Sequence, residues 1–127
     1  MSTPYFDDHE ALTFHTETDP KGLHQHALGA KLDAGKIRPT LIFNSMHKAI
    51  EAVIEVGEYG AKKYTKDGWQ FVEDGFERYT DAMHRHLISE NTSLHDPQTN
   101  LTHAAHVAWN ALARLELLLR LIERGDS

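Results

Sequence analysis

Apolar residues recur at helical spacing in three stretches of this chain, and no strand-like alternation or internal repeat interrupts them. The first stretch covers about 40–63, where Leu41, Ile42, Met46, Ile50, Val53, Ile54 and Val56 return at intervals of three, four and seven. Pro39 suits the first turn of such a helix, because its missing N–H has no bond to lose there. Gly57 and Gly60 weaken its end, and Gly60 predicts close packing or local unwinding. The second stretch, about 74–90, carries the stripe Phe76, Tyr79, Met83 and Leu87. The third, about 101–124, is the most regular: Leu101, Ala105, Ala108, Leu112, Leu115, Leu119 and Ile122 line one side, and Gly125 ends it.

Residues 1–28 are polar and without sustained period, punctuated by His9, Asp19-Pro20 and Gly22, which predicts an extended or partly ordered arm. Residues 29–38 form a compact loop in which two glycines and three basic residues surround Asp33. Residues 64–72 are a loop with two large aromatics, and 91–100, containing Asp96-Pro97, is a turn region. The third helix is apolar nearly all round between Leu112 and Ile122, so it needs covering on two sides. The pattern predicts an all-α fold: an antiparallel helical bundle completed by oligomerisation, as a homodimer or homotetramer. The plainer alternative covers that helix with a fourth element from residues 1–28. Two regions follow, an arm over 1–28 and a helical domain over 29–127.

Composition narrows the chemistry. With 127 residues, 40% hydrophobic and 25% charged, the chain suits one ordinary globular domain. It has no cysteine, which excludes disulfides, thiolate metal sites and cysteine nucleophiles. No apolar run approaches a membrane span and no signal core is present, so a cytoplasmic place without membrane partners is expected. The net charge of −6 argues against a nucleic-acid polymer as partner, but not against a nucleotide held through a metal. Of ten histidines, seven cluster at 24–26, 84–86 and 95–106.

Three glutamates, Glu51, Glu55 and Glu58, fall at i, i+4 and i+7 on one face of the first helix. Like charges at that spacing cost a helix roughly 0.2–0.5 kcal/mol per pair, so the stripe is either solvated or neutralised by a cation. Val53, Ile54 and Val56 beside Glu55 place it, by expectation, near the core. On the second helix Asp81, His84 and Arg85 share a face, and Asp81 is a candidate fourth carboxylate for Mg²⁺ or Mn²⁺. On the third, His103, His106 and Asn110 make a narrow polar stripe that predicts a cavity or a polar network, with Asp96 placed to cap or orient it. Lys31, Lys36 and Arg38, with Lys62, Lys63 and Arg85, are candidate phosphate ligands, and Tyr64 and Trp69 candidate stacking surfaces for a base. Each has a structural alternative: a solvated charge, or an aromatic in the core.

Several blocks in order resemble a known family. They are Gly29-Ala30-Lys31-Leu32-Asp33-Ala34-Gly35-Lys36-Ile37-Arg38-Pro39, then Tyr59-Gly60-Ala61-Lys62-Lys63-Tyr64 followed by Trp69. Arg78-Tyr79, Asp81-Ala82, Arg85-His86-Leu87, Asp96-Pro97, and His103 with His106 and Asn110 complete the set, over about residues 29–112. The chain resembles the dATP/dGTP diphosphohydrolase N-terminal domain, a small all-α domain frequent in bacteriophages and similar in style to MazG-like nucleotide pyrophosphohydrolases. The resemblance implies a metal-dependent hydrolase that splits a (deoxy)purine nucleoside triphosphate into monophosphate and pyrophosphate. It implies functional positions at Asp33, His86, Asp96, His103, His106 and Asn110. MazG-like enzymes place a Glu-x-x-Glu pair on one helix, matched here by Glu55-Val56-Gly57-Glu58, and acidic residues on the next. The chain departs from the pattern with His84 in place of a carboxylate, Ser93-Leu94 in place of Gly-Glu, and Gln98 in place of a glutamate.

The expected mechanism uses Glu55, Glu58 and Asp81 to hold Mg²⁺ or Mn²⁺ on the triphosphate. A water oriented by Glu51 or Glu58 attacks the α-phosphorus, while Lys31, Lys36, Arg38 and Arg85 stabilise the leaving pyrophosphate. Two alternatives stay open. One is an HD-type phosphohydrolase built on His95-Asp96 with His84, His86 or His106; the other is a protein that binds or sequesters a nucleotide without turnover.

Overall fold

The computed structural model describes residues 17–125. Backbone contacts divide the chain into two compact units, Met1–Pro39 and Thr40–Ser127. The expected arm lies outside the described residues up to residue 16. From residue 17 to 39 the first unit is a series of turns without a helix or a paired strand. Its anchor is Asp19, buried, whose carboxylate accepts backbone N–H groups from Lys21 (3.0 Å), Leu23 (2.7 Å) and Lys31 (3.3 Å). One carboxylate thereby ties the start of the Gly29–Arg38 loop to the turn before it. Gly22, Gly29 and Gly35 take φ of 92°, 90° and 78° there, a region that side chains with a Cβ rarely adopt.

The second unit is helical: α1 (Thr40–Phe43), α2 (His47–Lys63), a 3-10 turn (Gly68–Phe71), α3 (Gly75–Ser89) and α4 (His103–Glu123). Among the described residues there is no strand, only isolated bridges at Thr18–His24 and His95–Thr102. The α3 and α4 helices fall inside the expected stretches. The expected helix over 40–63 is divided, because Ser45 Oγ donates to the Leu41 carbonyl at 2.6 Å and competes with the backbone ladder. Thr102 caps α4 by accepting from the Ala105 N–H at 3.1 Å, and Gly125 closes it at φ 77°. No helix among the described residues is long and apolar enough to cross a membrane.

The α4 helix is the packing centre; α3 lies along it, α2 also packs on it, and α2 and α3 meet each other little. Contacts between α3 and α4 join the start of one to the end of the other. A Cβ on Gly75 would meet Leu117 Cδ1, Arg114 Nε donates to Thr80 Oγ1 at 2.7 Å, and His86 meets His103. The buried face of α4 consists of His103, Ala105, His106, Asn110 and Ala113. This corrects the expected apolar stripe: Ala105 is inside, but Leu112, Leu115, Leu119 and Ile122 are exposed in the single chain. Three buried polar side chains hold the inward face, so the leucines are turned out. Gly60, expected to mark close packing or local unwinding, would meet nothing within 4 Å if it carried a Cβ, and α2 runs through it unbroken.

Candidate active-site cleft and histidine cluster

An open cleft of about 1480 Å³ runs through the second unit. Glu58 and Lys63 come to it from α2, Tyr64 and Trp69 from the following loop, Arg85 and His86 from α3, Asp96 from the turn, and His106 and Asn110 from α4. The cleft thus gathers carboxylates, cations, aromatic rings and a polar wall. Trp69, Tyr79 and Trp109 form an edge-to-face cluster with centroids 5.6–6.3 Å apart. The Tyr79 hydroxyl donates to the Trp69 carbonyl at 2.7 Å, and burial pushes its pKa up. Trp69 therefore both packs and lines the cleft. Tyr64 is more open, with the Lys63 ammonium 5.2 Å from its ring centre.

The glutamate stripe is less enclosed than its neighbours suggested. Val56 is the buried residue of α2, and Glu55 is exposed, as are Glu51, Glu58 and Asp81. One residue along a helix is a turn of 100°, so burying Val56 carries Glu55 outward. The carboxylates of Glu51, Glu55, Glu58 and Asp81 enter no ion pair among the described residues, and no three of them gather within ligand distance. Lys62 is exposed on the last turn of α2. Lys31, Asp33, Lys36 and Arg38 belong to the first unit, where all four are exposed and Lys36 N–H closes a turn onto the Asp33 carbonyl.

The polar stripe of α4 enters a network as expected. His86 Nδ1 and His103 Nδ1 lie 2.9 Å apart, one donating to the other, and the His86 ring stacks on His106 at 4.4 Å and 6°. His106 Nε2 shares a proton with Thr99 Oγ1 at 2.8 Å and stands 3.6 Å from Asp96 Oδ2. Asn110 donates to the His106 carbonyl at 2.8 Å. The turn is built to present Asp96: its N–H bonds the Leu101 carbonyl, its Oδ1 accepts the Gln98 N–H at 2.8 Å, and Asn100 takes φ 62°. Burial pushes the His86 imidazole below the ordinary histidine value, aided by His106 and opposed by Asp96. Burial does the same to His106, against the pull of Asp96. Both shifts favour the neutral imidazole over the charged one.

His86, Asp96 and His103 place one ligand atom each within 4.8 Å of one another, a group able to hold a metal ion. His95 is exposed in the bridged turn, not on a helix as an HD dyad requires. Sequence reasoning passed over Thr99 and Trp109, and placed Tyr79 in the apolar stripe of α3 without its bond to Trp69. Trp109 adjoins the polar stripe of α4, and Thr99 lies three residues after Asp96 in the same turn; those neighbourhoods were the available signal.

Residues 26–126 match the family described as dATP/dGTP diphosphohydrolase, N-terminal. A relative named dATP/dGTP diphosphohydrolase, from Salmonella phage PMBT28, is 37% identical over 81 residues. That match covers 63% of this chain and 26% of the relative, so the chain spans about a quarter of the curated protein it matches. No solved structure matches. The family match takes in the whole helical unit and the turn that presents Asp96, and on it the chain belongs to the dATP/dGTP diphosphohydrolase N-terminal family.

Proposed function

We propose that this chain hydrolyses a (deoxy)purine nucleoside triphosphate to the monophosphate and pyrophosphate, with Mg²⁺ or Mn²⁺, in the cytoplasm (the host's, if the chain is phage-encoded). One observation carries the reading: Glu58, Lys63 and Arg85 share a cleft with Tyr64 and Trp69, in a member of this family. A triphosphate needs cations along its oxygens, a purine needs a ring face, and hydrolysis needs an acceptor for the proton of water. The printed name of the phage relative agrees with that substrate class.

Lys63 and Arg85 neutralise phosphate oxygens, and Tyr64 and Trp69 offer ring faces to the base. Glu58 accepts the proton of the water that attacks the α-phosphorus. Mg²⁺ is commonly bound by one or two carboxylates plus substrate phosphates, not by an all-protein cage. The exposed Glu55 and Glu58, free of ion pairs among the described residues, fit that requirement without a three-carboxylate cluster. When bound, the ion supplies charge neutralisation across the phosphate chain. Glu51 lies on the same helix face and Asp81 on α3, where they are further candidate ligands.

The α3–α4 pairings support an antiparallel arrangement, and the exposed Leu112, Leu115, Leu118, Leu119 and Ile122 support its completion by further copies of the chain. A panel of ribo- and deoxynucleoside triphosphates with Mg²⁺ or Mn²⁺, resolving mono-, di- and pyrophosphate, tests the function. Pyrophosphate from a purine substrate is expected. Binding without any product leaves a sequestering protein, and released triphosphate or inorganic phosphate overturns the reading. Glu58→Gln and Glu55→Gln should each lower turnover by about a hundredfold or more while helicity is kept.

A further inference from the structure

We propose that His86, Asp96 and His103 form a binding site for a borderline first-row ion of the Zn²⁺ or Co²⁺ class, separate from the Mg²⁺ or Mn²⁺ read at Glu55 and Glu58. The three donors come from three different elements: α3, the bridged turn, and the first residue of α4. His103 is 4% exposed, and the Asp96 side chain 15%. Their candidate ligand atoms lie within 4.8 Å of one another. Zn²⁺ at about 2.0–2.1 Å from each nitrogen in a tetrahedral shell needs the nitrogens about 3.3 Å apart. The two Nδ1 atoms stand at 2.9 Å, so a small rotation of the rings opens the gap.

The lone-pair inventory also fits. Asp96 Oδ1 is occupied by the Gln98 N–H, while Oδ2 stands 3.6 Å from His106 Nε2, beyond hydrogen-bond distance. Among the described residues Oδ2 accepts no hydrogen bond and is the oxygen left for a cation. In the Nδ1–Nδ1 contact one ring donates and the other accepts; on binding, the donor ring moves its proton to Nε2 so that both Nδ1 lone pairs face the ion. No net proton is lost in that exchange between neutral tautomers. His106, itself hydrogen-bonded to Thr99, stacks on His86 at 6° and packs against the plane of that ring. Two imidazoles and one carboxylate select a borderline ion over Mg²⁺, which prefers oxygen. His86 and Asp96 also line the cleft, so a phosphate oxygen or water entering it would reach an ion held there.

The test uses the untagged, metal-free chain and no nucleotide, so its outcome is independent of any hydrolysis. Titration with Co²⁺, followed by visible ligand-field absorption, should show saturable binding of one ion per chain, displaced by Zn²⁺. His86→Gln and Asp96→Asn should each weaken binding by about tenfold or more, with an unchanged far-ultraviolet circular dichroism spectrum. His47→Ala, an exposed histidine on α2, should bind as the parent does. Two results overturn the proposal: no saturable Co²⁺ binding by the parent, or binding that both cluster variants retain in full. Either would leave His86 and His103 as a hydrogen-bonded pair and nothing more.

Discussion

At the scale of single residues, stability and chemistry here depend on side chains whose polar atoms are satisfied inside. Asp19 is buried and collects three backbone N–H groups. Asp19→Ala leaves those amides unpaired, at a cost of about 1–3 kcal/mol to the local turn. Amide exchange at Leu23 and Lys31 should accelerate accordingly; unchanged protection there would contradict the assignment. The histidine cluster gives a pH dependence with a definite sign. His86 and His106 have folded-state values depressed below the ordinary histidine value of about 6.5, so the fold favours their neutral forms. Their contribution is complete above the unfolded value and is lost as pH falls through the folded values. Denaturant unfolding of the metal-free chain should give constant stability above about pH 7 and declining stability below about 6.5. The His86→Gln variant should flatten that slope.

At the scale of elements, α3 and α4 were legible because their apolar periodicity ran unbroken, with Gly125 as a clear stop at the end of α4. The break between α1 and α2 was not legible. It arises from the Ser45 hydroxyl competing for the Leu41 carbonyl, a contact that apolar spacing does not register. The phase of α2 was misread for a related reason. Apolar residues flank Glu55 on both sides, so spacing alone could not tell that Val56 is the one turned inward. On α4 the reverse held: the polar register His103–His106–Asn110 marked the buried face correctly, while the leucine stripe marked an exposed one. The pairing of His86 with His103 was not legible, since it joins residues seventeen apart in sequence on different helices. Two predictions belong here. Thr102→Ala removes the cap of α4 and should cost about 0.5–2 kcal/mol in denaturant unfolding. Gly60→Ala adds a methyl where nothing lies within 4 Å, in a helix interior, and should stabilise by up to about 1 kcal/mol.

At the scale of the whole molecule, the described core is thin: Val56, Ala105 and Ala113 are its buried apolar residues, and no large side chain is fully enclosed. Five exposed apolar residues on α4, Leu112, Leu115, Leu118, Leu119 and Ile122, are what further copies would cover. Light scattering behind size exclusion should therefore report a dimer or tetramer, and Leu115→Lys should shift it toward the monomer. A monomeric parent would contradict the oligomer. The proposed nucleotide chemistry belongs to this scale too, since α2, α3, α4 and two connecting segments each supply part of one cleft. In the proposed reaction water attacks the α-phosphorus of a purine triphosphate. Turnover in heavy-oxygen water, with the products separated by mass spectrometry, tests that directly. The label is expected in the nucleoside monophosphate and none in pyrophosphate; label in pyrophosphate or in free phosphate would place the attack elsewhere on the phosphate chain.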